Sequence, residues 1–161
     1  MTTIAFDGKT IASDSYMDAS GIKMFAPYKV WQEGIPPHKG IRGWKAFIGV
    51  AGEYAYAMKY KAKTLLCEGG ELLALDEADM QHISAMAVVC TDGIDPEIHV
   101  ASITGQWMPY HGREKHAIGS GRDFALAAMH CGKSALEAVE IAVYFDTGTG
   151  GAVHAYDVTA A

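Results

Sequence analysis

The order in which strand-like and helix-like stretches follow one another constrains the fold more than any other feature of this sequence. β-prone runs come first, two helical stretches follow them, and that order repeats before a final strand. Runs of strands separated from runs of helices are typical of α+β proteins, in which helices cover the faces of sheets. Two strand groups and two helix pairs suit a four-layer sandwich, although this pattern alone does not choose it over other α+β arrangements.

The individual elements are predicted from apolar periodicity and from turn residues. Strands are expected at residues 3–6, 10–12, 45–50, 85–90, 97–103, 116–118 and 153–158, with an Asp-Gly turn between the first two. Helices are expected at residues 53–67, 71–82, 123–130 and 134–145. Ser134 and Glu137 carry the signature of a capping box at the start of the last helix.

Composition indicates one ordinary soluble domain over residues 1–161. Hydrophobic residues make up 50% of the chain and charged residues 20%, and no linker or repeat divides it. The net charge of −6 argues against a nucleic-acid partner. The apolar runs are far shorter than the roughly 20 residues that span a bilayer, and no secretion signal is recognisable. We therefore expect a cytoplasmic protein without nucleic-acid or membrane partners.

The cysteine pattern gives no sign of a metal centre or a disulfide framework. Cys67, Cys90 and Cys131 show no paired spacing, and their number is odd. Such cysteines are typical of reduced, buried small residues. We therefore expect no metal and no cofactor.

The first residues combine a nucleophile with a base. The chain opens with Met1-Thr2-Thr3, and removal of Met1, which the small Thr2 side chain permits, would leave a terminal threonine. A threonine hydroxyl is a poor nucleophile that needs a base beside it. A free α-amino group titrates near ~7.7 and can serve as that base. An ordinary strand start is the competing interpretation, because many chains begin in this way.

Two further signals in the first half of the chain suit the same chemistry. Lys29 could lower the pKa of the Thr2 hydroxyl, and Asp14 could keep that lysine charged and oriented. Gly52 ends the run Gly49-Val50-Ala51-Gly52 at a strand-to-helix junction, where a backbone N–H can stabilise an oxyanion. We expect this N–H to belong to the first turn of the helix that follows. Read singly, these residues are typical of surface charges and of a tight turn.

Two glycine-rich loops in the second half of the chain add hydroxyls and a carboxylate. Gly119-Ser120-Gly121 stands between a strand and a helix, but it lacks the lysine of a Walker phosphate loop. Residues 146–151, Asp-Thr-Gly-Thr-Gly-Gly, come before the last strand. They form either a plain connecting loop or a place where a carboxylate and a hydroxyl approach the N-terminus.

Together and in this order, these signals resemble a proteasome β-subunit, a member of the N-terminal-nucleophile (Ntn) hydrolases. The resemblance rests on Thr2, Asp14, Lys29, Ala51-Gly52, Gly119-Ser120-Gly121 and residues 146–151. Residues 2–15 and 117–128 also resemble the HslV-type peptidase. The resemblance implies an α+β fold, a four-layer αββα Ntn-hydrolase sandwich, and a threonine-type endopeptidase.

The resemblance implies a catalytic role for several of these residues. Thr2 would supply the attacking hydroxyl and, through its amine, the general base. Lys29 would tune that hydroxyl, and Asp14 would hold Lys29 in place. The backbone N–H of Gly52 would stabilise the tetrahedral oxyanion.

It also implies supporting roles around the nucleophile. Ser120, Asp146 and Thr149 would form hydrogen bonds around the amine and fix its position. Val50 and Tyr54 would shape an apolar pocket for the substrate residue before the cut.

The implied partners are further copies of the chain in a ring or ring-like homo-oligomer, peptide or unfolded-protein substrates, and an ATP-dependent unfoldase. The region after Gly69-Gly70 leaves room only for a short second helix, where the family has a long one. Ring size and the unfoldase partnership therefore stay open. Tyr56 and Tyr60 on the first helix, with residues 35–37, are the surfaces expected to mediate assembly.

Two other functions remain open beside the peptidase. One is a catalytically silent binding or inhibitor protein of the same fold that retains Met1. The other is an Ntn amidohydrolase that acts on a small amide. The complete set of polar positions favours an enzyme, because a binding protein has no need of them and a fold alone does not define function.

Overall fold

The computed structural model describes residues 2–19, 22–25, 29–36, 42–67, 69–110 and 115–159. The strands are β1 (Thr3–Phe6), β2 (Thr10–Ser13), β3 (Tyr16–Ala19), β4 (Ile22–Phe25), β5 (Val30–Ile35), β6 (Trp44–Gly52), β7 (Ile83–Thr91), β8 (Ile94–Ala101), β9 (Trp107–Pro109), β10 (His116–Gly119) and β11 (His154–Asp157). The α-helices are α1 (Tyr54–Lys61), α2 (Arg122–His130) and α3 (Ala135–Phe145), and Glu77–Asp79 form a short 3₁₀ helix. None of the helices in these ranges is long and apolar enough to cross a membrane.

Two antiparallel sheets form the framework. Strands β10, β1, β2 and β11 lie side by side in the first sheet, and β5 to β9 follow one another in the second, while β3 and β4 form a separate ribbon. In the first sheet Thr3 pairs with Gly119 and Ile4 pairs with Ser13. The start of the chain therefore lies between the end of β2 and the loop that follows β10.

Alternation along the strands of the first sheet produces two apolar layers. Ile4, Phe6 and Ile11 belong to the core between the sheets, which they share with Phe47 and Met86 of the second sheet. The residues between them face the opposite way. Two of them, Ala5 and Ala12, pack with α2 and α3. The helices meet them with small side chains of their own, which let the helices lie close to the sheet: Ala125, Ala135 and Ala138.

The outer face of the second sheet is covered by α1 and by the segment that follows it. Tyr60, Leu65, Leu66 and Leu75 pack there against β6 and β7. Helices, sheet, sheet and this covering layer make up the predicted four-layer αββα sandwich, and the fold is α+β. The predicted β1–β2 hairpin is confirmed. So is the capping box at Ser134, where the side chain accepts a hydrogen bond from the Glu137 N–H.

The prediction was wrong about the covering layer. Helix α1 ends at Lys61 rather than at residue 67, and the helix expected at residues 71–82 is reduced to the 3₁₀ turn Glu77–Asp79. Side chains hold this segment in place of helical packing. The Glu33 carboxylate of β5 accepts the N–H groups of Leu65 and Leu66, and the Tyr60 hydroxyl donates to Asp79.

Four strands have no counterpart in the prediction, namely β3, β4, β5 and β9. Their sequences contain glycine, proline or charged residues that mask an alternating pattern. β5 reads VWQEGI, and β9 is a short edge strand that contains Pro109.

Candidate active site

Thr2 directly precedes β1 at the edge where the chain enters the first sheet. It is almost completely buried, with 3% of the residue exposed. Alternation from Ile4 and Phe6 places Thr2 on the side of β1 that faces the second sheet. Thr3 lies on the helix side, where its hydroxyl contacts that of Thr149 at 2.5 Å. Met1, whose removal would expose the Thr2 amine, lies outside the described residues.

Asp14 and Lys29 form a buried ion pair beside the first strand. The Lys29 amine donates to Asp14 Oδ1 at 2.9 Å, with 8% and 0% of the two side chains exposed. The same amine donates to the carbonyl of Tyr16. Burial lowers the pKa of the Lys29 amine, and it outweighs the opposing effect of the Asp14 carboxylate.

The Asp14 carboxylate also binds three backbone N–H groups. It accepts from Thr3 at 2.9 Å, from Tyr16 at 3.1 Å and from Gly150 at 3.0 Å. One buried side chain thus fixes the strand that carries Thr2, the chain after β2 and the loop before β11. The contribution of the Thr3, Tyr16 and Gly150 backbones could not be predicted from residue type, because every residue except proline carries the same main-chain N–H.

The Gly119-Ser120-Gly121 loop holds the first residues directly. The Ser120 N–H donates to the Thr2 carbonyl at 2.9 Å. A Cβ atom at Gly119, whose φ is 94°, would lie 1.9 Å from that carbonyl oxygen, and one at Gly121 would lie 2.2 Å from the Thr3 hydroxyl oxygen. The two glycines are therefore required because the N-terminal strand passes so close.

Ser120, Asp146 and Thr149 form one hydrogen-bonded group beside that loop. Both hydroxyls donate to Asp146 Oδ2, that of Ser120 at 2.6 Å, and the Gly148 N–H donates to Oδ1 at 3.2 Å. Burial by itself would raise the pKa of the Asp146 carboxyl. The hydrogen bonds from Ser120, Thr149 and Gly148 outweigh burial and lower that pKa. Asp146 is therefore held as a carboxylate near the start of the chain.

Gly52 is the last residue of β6, whereas it was expected in the first turn of the helix. Glu53 donates its N–H to the His82 carbonyl at 3.1 Å, so the preceding pair, Gly52 and Ile83, is of the non-hydrogen-bonded type. The Gly52 N–H therefore points away from β7. It points to the side on which Val50 donates its N–H to the Lys29 carbonyl at 3.3 Å.

The two residues predicted to line a substrate pocket lie on either side of Gly52. Val50 is buried, with 2% exposed, in the layer beneath α1, together with Tyr60. Tyr54, the first residue of α1, is 44% exposed. In the parts of the chain that the structure describes, no group of His, Cys, Asp or Glu side chains is arranged to hold a metal ion.

The fold has known counterparts among solved structures. No family model and no curated protein sequence matches the chain. The eukaryotic HslV from Trypanosoma brucei is similar in structure, with a TM-score of 0.64 and 21% identity over 96% of this chain and 98% of that one. The Thiobacillus denitrificans BPH in complex with epoxomicin has a TM-score of 0.61 and 16% identity, with 97% of each chain covered.

Anbu, described as an ancestral β-subunit, from Yersinia bercovieri is also similar, with a TM-score of 0.66 and 12% identity over 96% of this chain and 80% of that one. Identities this low relate the folds and leave the chemistry of the chain to its own residues. The chain therefore has the proteasome-like Ntn-type fold of HslV, BPH and Anbu.

Proposed function

We propose that this protein is a threonine-type endopeptidase whose nucleophile is the Thr2 hydroxyl, exposed by removal of Met1. One observation carries the proposal: two separate polar groups meet at the first two threonines. The Lys29–Asp14 pair reaches them through the Thr3 N–H, and the Ser120–Asp146–Thr149 group reaches them through the Thr2 carbonyl and the Thr3 hydroxyl. An ordinary strand start does not require two polar groups around its first residues, so their presence supports a catalytic role for Thr2.

The reaction follows from the chemistry of these groups. The free Thr2 amine takes the proton of its own hydroxyl as the oxygen attacks the substrate carbonyl. The Gly52 N–H stabilises the resulting oxyanion, and the amine then returns the proton to the leaving nitrogen. Water hydrolyses the acyl ester and restores Thr2. The Lys29 charge favours the alkoxide, while Asp146 and Ser120 orient the amine.

A mass-spectrometric experiment tests the proposal at the nucleophile. The probe is epoxomicin, which is bound to the structurally similar BPH, used as an inhibitor that would react with the terminal threonine. The purified protein is expected to have lost Met1 and to gain one inhibitor mass on its first peptide, and Thr2→Ala is expected to gain none. Retention of Met1 without labelling would favour the silent binding protein instead.

The natural substrates we propose are peptides or unfolded proteins, and the working form is a homo-oligomer. Unprotected cleavage in a cell would damage every unfolded chain, and closed assemblies of identical subunits confine such sites. A structurally similar Anbu from Pseudomonas aeruginosa is described as a helical assembly. An ATP-dependent unfoldase would supply substrate to a closed chamber. Turnover of small amides but not of peptides would favour the amidohydrolase.

A further inference from the structure

The junction between β6 and α1 carries a cluster of side chains that the proposed mechanism does not use. The His82 ring lies between the Glu53 carboxylate, with Nδ1 and Oε1 2.7 Å apart, and the ring of Tyr56. The two rings are stacked, with centroids 4.5 Å apart and an interplanar angle of 2°. Glu53 directly follows Gly52, so the cluster adjoins the N–H assigned to the oxyanion.

The backbone of His82 supports the same junction. Its carbonyl accepts the Glu53 N–H at 3.1 Å. Gly52 has a φ of 128°, and a Cβ atom there would lie 2.2 Å from that carbonyl oxygen. The Cα atom of Gly52, next to the N–H assigned to the oxyanion, therefore lies against the His82 carbonyl with no room for a side chain.

Helix α1 provides little anchorage of its own. It has eight residues, of which the buried one is Tyr60, close to the C-terminal end of the helix. Glu53 occupies the N-cap position but makes no capping hydrogen bond with its side chain, since its carboxylate goes to His82 instead. His82 thus holds the start of the helix through three contacts: a backbone hydrogen bond from Glu53, a side-chain hydrogen bond with Glu53 and a ring stack on Tyr56.

We propose that His82 is a positioning residue that, with Glu53 and Tyr56, aims the Gly52 N–H at the oxyanion. This inference rests on the proposed peptidase function. An oxyanion donor acts only when it lies within about 2.7–3.1 Å of the oxygen in the transition state. Loosening the junction should therefore lower kcat and leave KM, which reports ground-state binding, nearly unchanged.

Three variants separate the contacts. His82→Phe keeps the ring stack and removes the hydrogen bond, His82→Asn keeps a donor close to the position of Nδ1, and Glu53→Gln keeps an acceptor. We expect His82→Phe to lower kcat by about tenfold at unchanged KM, less than the ~10²–10³ that follows complete loss of such a donor. Glu53→Gln and His82→Asn are expected to recover most of the rate.

The chain offers a matched control in its second His–Glu pair. His99 and Glu97 lie 3.6 Å apart on β8, away from the junction. His99→Phe should leave kcat unchanged. Melting temperatures of all variants identify any that fail to fold, and Glu53→Ala, which removes the acceptor of the same hydrogen bond, then serves in place of His82→Phe.

Amide hydrogen exchange at residues 52–53 gives a readout that does not depend on turnover. His82→Phe should speed exchange there and leave exchange in β8 unchanged. If the wild-type protein cleaves peptides and His82→Phe equals it in both kcat and amide exchange, this inference is overturned while the proposed function stands. A wild-type protein that cleaves nothing contradicts the proposed function, and unchanged exchange in that case overturns the positioning role as well.

Discussion

At the scale of single residues, Lys29 combines burial with a charge that the proposed reaction needs. Burial holds the pKa of its amine below the ordinary 10.5 despite the adjacent Asp14. As the pH rises through that lowered value the amine loses its proton, and the stabilisation of the Thr2 alkoxide is lost with it. We expect kcat to fall on the alkaline side before pH 10.5 is reached.

The control replaces the lysine by a residue that stays charged. Arginine stays protonated throughout the alkaline range. Lys29→Arg should therefore retain some activity and should not show the fall of kcat at alkaline pH. Rate profiles of both proteins between neutral pH and pH 11, each checked for folding by circular dichroism, decide the point. An identical fall in Lys29→Arg would assign it to another group.

Val50 and Tyr54 lead to an expectation about the substrate. Val50 offers no charge to pair with a basic or acidic side chain, so the pocket proposed beside Gly52 should accept an apolar residue before the cut. Peptides that differ only at this position should be cleaved fastest with leucine or a similar side chain. Faster cleavage after arginine or glutamate would contradict the assignment of this pocket.

The sequence pointed to most of the polar side chains that the structure brings together around the first residues, but to only part of the contacts between them. Lys29 and Asp14 were predicted as a pair, and the structure joins them. The contact between the Thr3 and Thr149 hydroxyls and the use of the Tyr16 carbonyl were not predicted. They depend on which backbones meet after folding, and residue type carries no information about that.

At the scale of elements, the segment after α1 shows where periodicity misleads. Leu72, Leu75 and Met80 lie near helical spacing, yet most of residues 62–67 and 69–82 has no regular structure. Gly69 and Gly70, with φ of 88° and 81°, turn the chain so that Leu66 pairs with Leu72 in an isolated bridge. Apolar spacing indicates which residues contact the sheet. An irregular segment can bring those residues to the sheet just as a helix would.

The Tyr60–Asp79 contact takes the place of that missing helix, which makes it testable. The buried Tyr60 hydroxyl donates to Asp79 and accepts the Asp76 N–H at 2.9 Å. Tyr60→Phe leaves both partners without this group and should lower the free energy of unfolding by about 1–3 kcal/mol in urea titrations. The exposed pair Lys133–Glu137 is the control, since Lys133→Met should leave the free energy of unfolding nearly unchanged.

At the scale of the whole molecule, the surface expected for assembly must be revised. Tyr60 was expected on an open face of the first helix, but it is 1% exposed, and Tyr56 is stacked on His82. A group of exposed aromatic side chains lies on the opposite layer. Phe124, Tyr144 and Phe145 of α2 and α3 are 42%, 86% and 64% exposed, and Phe124 stacks on Phe145 at 5.7 Å.

This aromatic patch, Phe124, Tyr144 and Phe145, is the surface that a second copy of the chain would cover in the proposed oligomer. Contiguous exposed aromatics are typical of protein interfaces, where they supply much of the binding energy. The patch adjoins Asp146, so its burial would also shield the Ser120–Asp146 pair, whose hydrogen bond is exposed in the single chain. Assembly and activity should then depend on the same residues.

We therefore expect the double variant Tyr144→Ser, Phe145→Ser to shift the protein from an oligomer toward a monomer near 17.2 kDa in light scattering, with activity lost in parallel. Ile103 is 85% exposed in the loop between β8 and β9. Ile103→Ser removes a comparable apolar side chain outside the patch and should leave both mass and activity unchanged. If the wild-type protein is itself a monodisperse and fully active monomer, neither the patch nor a closed chamber is needed. The small-amide hydrolase would then be the better explanation, because a substrate of that size requires no compartment to protect other proteins from the Thr2 nucleophile.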